Sequence, residues 1–114
     1  MNRFGRLWTR LRSAWVRRRA ARRRNRLPEV LRLHLVAALE ESGRGREARA
    51  NHFRIELDPV DAAALAPSTA LPIELAREVA AEARRRGYAL AGPVRVEIVA
   101  GPGPGIHVQA RREP

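Results

Sequence analysis

The chain has 114 residues and no cysteine; that length allows one small domain, and the missing thiols exclude a disulfide framework, thiolate metal sites and cysteine nucleophiles. Its 23 basic residues are all arginine and face 12 acids, for a formal charge of +11. Residues 1–26 hold 11 arginines and no acid, whereas residues 27–114 set 12 arginines against 12 acids, so the excess charge belongs to an N-terminal arm and the remainder is a neutral domain.

The absence of lysine beside 20 alanines reads as a GC-rich coding bias, which weakens any argument that each arginine was placed for bidentate phosphate recognition. No stretch approaches the ~18 consecutive apolar residues of a spanning helix. The basic start is not followed by the apolar core of an export signal. The expected location is the cytoplasm, with peripheral contact at the inner face of the membrane.

The arm reads as an amphipathic helix. At ~100° per residue, Phe4, Leu7, Trp8, Leu11 and Trp15 fall within a sector of about 100°, with Arg3, Arg6, Arg10 and Arg17 elsewhere. From Arg17 to Arg26 the sequence becomes a like-charge block, which repels itself and stays solvated. The arm therefore covers residues 1–26 and the domain residues 27–114.

Leu27-Pro28-Glu29 opens a second helix, since proline suits a first turn whose N–H groups lack partners and an acid complements the positive helix end. Val30, Leu31, Leu35, Ala38 and Leu39 keep helical spacing to about Ser42, and Gly43 stops it. Three stretches then alternate apolar and polar residues: Phe53–Leu57, Val94–Ile98 and Ile106–Ala110. Such alternation gives a sheet covered on one side. Gly101-Pro-Gly-Pro-Gly105 between the last two predicts a hairpin. Asp58-Pro59-Val60-Asp61 starts a short helix by its capping chemistry. A longer helix follows over about Ala70–Arg86, with Leu71, Leu75, Ala76, Val79, Ala80 and Ala83 as its apolar stripe and Gly87 as its left-handed cap. The predicted fold is α+β, in the order α-β-α-α-β-β: a small, largely antiparallel three-stranded sheet with helices on one face, preceded by the basic arm.

Nothing in the domain has catalytic spacing. His34, His52 and His107 form no ligand pair, and neither a metal nor another cofactor is expected. His34 reads as a packing residue of its helix, and His107 as facing the polar side of the sheet. Asp58 and Asp61 are explained by capping. Pro102 and Pro104 remove two N–H donors that a phosphate cradle would use.

The arm carries the functional signal. Tryptophan favours the membrane–water interface, and arginines gain about 1 kcal/mol each beside an anionic leaflet. Phe4, Leu7, Trp8, Leu11 and Trp15 are thus candidates to dock on an anionic membrane or a protein partner, with Arg10, Arg17, Arg18 and Arg19 supplying attraction. The alternative is sequence-independent nucleic-acid binding through the same arginines. The strand–helix–helix–strand order is that of KH domains, but Ala66-Pro67-Ser68-Thr69 lacks their G-x-x-G clamp.

Asn51-His-Phe53-Arg-Ile55-Glu-Leu57-Asp-Pro59-Val-Asp61 and Gly87-Tyr88-Ala-Leu-Ala-Gly92-Pro93-Val94-Arg-Val96, with the Leu27-Pro28-Glu29-Val30 helix start, resemble the N-terminal domain of FhaA-type bacterial proteins. In that family the domain precedes a linker and a forkhead-associated domain that binds phosphothreonine, in serine/threonine-kinase signalling tied to cell-wall synthesis and division. The family's N-terminal domain itself has no established activity; the charge partition and the lack of any catalytic constellation give the expectation of a non-enzymatic interaction or adaptor domain. Phosphothreonine binding is not expected of this chain, which reaches Pro114 without such a module. Its Arg17–Arg26 block and its Ile106 depart from the family's pattern.

Overall fold

The computed structural model describes residues 26–114, so the expected arm and its boundary with the domain lie outside the described residues but for Arg26. Helix α1 occupies residues 26–41 of that range. Leu27, Leu31, Leu35 and Leu39 recur every fourth residue and are buried. Each step of four turns the face by about 40°, so the buried stripe drifts around the helix. That drift corrects two expectations: Val30 sits at the margin, 36% exposed, and His34 is exposed rather than packed.

Strand β1 (His52–Leu57) follows, then α2 (Pro59–Leu65), α3 (Ala70–Arg86), β2 (Arg95–Ala100) and β3 (Ile106–Arg111). The order is the expected α-β-α-α-β-β. Helix α2 begins as its sequence dictates, with the Asp58 carboxylate accepting from the Val60 N–H at 2.8 Å and proline in the first turn. Helix α3 ends on Gly87 at φ 73°, with the Tyr88 N–H reaching the Ala83 carbonyl at 2.8 Å.

The sheet order is β2-β1-β3, with β1 parallel to β2 and antiparallel to β3. The sheet is therefore mixed rather than largely antiparallel, and the expected β2–β3 hairpin does not form. The reason lies in β1, whose Phe53, Ile55 and Leu57 are at most 1% exposed. The strand with the most apolar inner face takes the centre, where neighbours cover it on both sides. Strands two places apart are separated by roughly 10 Å, a gap that residues 101–105 span by crossing the end of β1. Gly101 makes the close approach: its N–H donates to the Leu57 carbonyl at 2.7 Å, and a Cβ there would stand 3.1 Å from that of Glu56.

One face of the sheet carries the core. Leu71, Leu75, Val79 and Ala83 of α3 join the α1 leucines and the inward side chains of β1. Arg32 meets Glu78 at 3.9 Å and Arg86 meets Glu40 at 3.5 Å. Both pairs advance by eight residues, so α1 and α3 run side by side in the same direction. His107 faces outward as expected.

Candidate functional site

Two surfaces organise the polar chemistry of the described residues. The first is a clamp at the entrance of the sheet. Asn51, 3% exposed, donates its side-chain amide to the carbonyls of Pro93 at 3.0 Å and Glu113 at 2.6 Å, and accepts from the Glu113 N–H at 2.7 Å. Its own carbonyl receives the Arg95 N–H, and its N–H reaches the Arg111 carbonyl. Gly92 closes against it, since a Cβ would lie 2.7 Å from the Glu113 carbonyl oxygen. Beside the clamp, the Arg49 guanidinium stacks 4.0 Å from the centre of the Tyr88 ring and donates to the Glu40 carbonyl. Asn51, Gly92 and Pro93, with Tyr88 stacked on Arg49 beside them, thus build the framework that joins β1, the approach to β2 and the C-terminal residues.

The second surface is a groove of about 320 Å³ between α3 and β2, lined by Pro72, Ile73, Ala76, Arg77, Ala80, Val94 and Val96. It arises because Ala76 and Ala80, at the edge of the apolar stripe, are too small to fill the space beside an edge strand. Ile73 stands 56% exposed at its rim. The odd-numbered residues of β2 turn their backbone toward β1, as the Arg95 N–H to Asn51 and Gly101 N–H to Leu57 bonds show. The backbone groups of Val96, Ile98 and Ala100 therefore face away from β1, on an edge that no other strand among the described residues pairs with.

The acidic groups are mostly engaged. Glu82, buried, pairs with both Arg85 and Arg86, and Glu113 with Arg111. Glu97 lies 3.9 Å from both His52 and Arg54. The Arg112 guanidinium bonded to Glu47 holds that carboxyl below the usual carboxylate range, helped by the Arg44 N–H. Among the described residues no group of His, Asp and Glu is placed to hold a metal ion, and no helix is long and apolar enough to cross a membrane.

The docking residues expected from the sequence, Phe4, Leu7, Trp8, Arg10, Leu11, Trp15, Arg17, Arg18 and Arg19, lie outside the described residues. The groove was not singled out by periodicity. Its one sequence signal is Ile73, an apolar residue off the buried stripe of α3.

Residues 17–103 match the family described as the N-terminal domain of FhaA. The solved structure of the N-terminal part of Rv0020c shares the fold, with a TM-score of 0.62 over 75% of this chain and 71% of that one, at 19% sequence identity. No curated protein matches the sequence.

Proposed function

The chain belongs to the family of FhaA N-terminal domains, and from that membership we propose that it works as a non-enzymatic cytoplasmic adaptor in kinase-linked control of the bacterial envelope. A neutral globule supplies the fold, and the arm docks it on the anionic inner face of the membrane. The observation that carries this reading is the charge partition: 11 arginines and no acid in residues 1–26, against equal numbers of each sign in residues 27–114. An apolar stripe that includes Trp8 and Trp15 beside that charge is the composition of a helix lying in a membrane interface. The pairing of Glu47, Glu82, Glu97 and Glu113 with arginines supports a framework role for these carboxylates rather than acid–base work.

Co-sedimentation of the full chain with phosphatidylglycerol vesicles tests the proposal. Binding is expected to collapse in the Trp8→Ala/Trp15→Ala variant and to be weak on phosphatidylcholine vesicles. Vesicle binding that is indifferent to both tryptophans, alongside salt-sensitive binding of duplex DNA, would replace membrane docking with nucleic-acid binding.

A further inference from the structure

We propose that the α3–β2 groove is a second docking site, separate from the arm, which takes an extended acidic peptide of a partner protein as a fourth strand on the edge of β2 that is unpaired among the described residues. The edge is six residues long, and its outward N–H and C=O groups at Val96, Ile98 and Ala100 are a ready template for strand addition. Alternate side chains of an added strand point toward the helices. There they meet the apolar wall of Ile73, Ala76 and Ala80, continuous with Val96 of the edge strand itself.

Charge selects the occupant. Arg77 lines the groove, and Arg84, seven residues and thus about 10 Å farther along α3, lies on the same stripe of the helix. Arg95 stands on the outer face of β2. All three are exposed, and none has an ion-pair partner among the described residues. Glu97, the acid of this strand, is within 3.9 Å of His52 and Arg54. The edge therefore presents cations to whatever pairs with it. An acidic strand answers them, whereas residues 1–26, with 11 arginines and no acid, carry the same sign. A second copy brought in by β2–β2 pairing would set Arg77 and Arg84 of one molecule near those of the other. A single-stranded nucleic acid would find no exposed aromatic platform in the groove.

The experiment uses the full, isotopically labelled chain and the acetylated, amidated peptide Glu-Val-Glu-Val-Glu-Val-Glu. Backbone amide shifts are expected to centre on Val96, Ile98 and Ala100, whose amides become protected from exchange. Arg95→Glu, on the face the glutamates take when the valines meet the apolar wall, is expected to weaken binding at least tenfold, as is the charge reversal Arg77→Glu/Arg84→Glu at the groove's rim. N-methylating the valines or the glutamates, which keeps charge and side chains, is expected to weaken one of the two peptide analogues at least tenfold and spare the other. The Trp8→Ala/Trp15→Ala variant binds the peptide unchanged, which separates this site from membrane docking. Shifts confined to the arm, or equal binding of both N-methylated analogues, would overturn the proposal. So would edge shifts that grow with protein concentration alone, which mean self-pairing, or that appear with oligouridylate and not with the peptide.

Discussion

Asn51 and Glu113 bind each other through both of their complementary groups: the Asn51 side chain donates to the Glu113 carbonyl at 2.6 Å and accepts from the Glu113 N–H at 2.7 Å. The carboxamide thereby acts as a piece of sheet backbone, extending the β1–β3 pairing past Arg111. Since the same amide also reaches Pro93, one side chain ties the start of β1 to the approach to β2 and to the end of the chain.

Removing that side chain takes away three part-buried hydrogen bonds, two to the Glu113 backbone and one to the Pro93 carbonyl. Asn51→Ala is expected to lower the unfolding free energy by about 1–3 kcal/mol, measured by urea denaturation, with loss of exchange protection at the Glu113 amide. Asn51→Asp is expected to cost more, because it turns an acceptor toward the Pro93 and Glu113 carbonyls.

Gly92→Ala is expected to cost about 1–3 kcal/mol, since its Cβ would meet the Glu113 carbonyl oxygen at 2.7 Å and the Asn51 amide nitrogen at 2.9 Å. Both substitutions open the same clamp, so the double variant with Asn51→Ala should fall short of the sum. Gly103→Ala has nothing within 4 Å and is expected to leave stability within about 0.5 kcal/mol of the parent. Paired denaturation curves make the comparison.

Helix α1 offers a test of which of its faces is buried. Leu35 is fully buried and Leu33 is 57% exposed, two positions away. Leu35→Ala is expected to cost about 2–5 kcal/mol through the cavity it leaves. Leu33→Ala should change stability by less than about 0.5 kcal/mol. Equal effects in chemical denaturation would contradict the packing of this helix.

The Glu47–Arg112 pair predicts a pH response of definite sign. The hydrogen bond from Arg112 lowers the Glu47 pKa in the folded protein. Its contribution to stability is therefore complete above the ordinary glutamate pKa and lost as pH falls through the depressed folded value. Arg112→Gln should return the Glu47 titration, followed by carboxyl NMR, toward the ordinary value. Because the pair is exposed, molar salt should do much the same.

The helices and strands of this domain are legible in its sequence because each is written locally. The Asp58-Pro59 start of α2, the stripe of α3 with its Gly87 cap, and the alternation in all three strands involve residues that are neighbours along the chain. The arm's charge is likewise a matter of composition. Strand order is different in kind. Alternation says which face of a strand is buried but not which strand lies between the others, and a glycine- and proline-rich link reads equally as a hairpin or as a crossing. Burial of Phe53, Ile55 and Leu57 decides it, placing β1 in the centre. The clamp joins Asn51 to residues 42 and 62 positions away, and the groove joins α3 to Val94 and Val96. Those relationships exist only once the chain has folded, because the forces that select them act between surfaces that no local window of sequence contains.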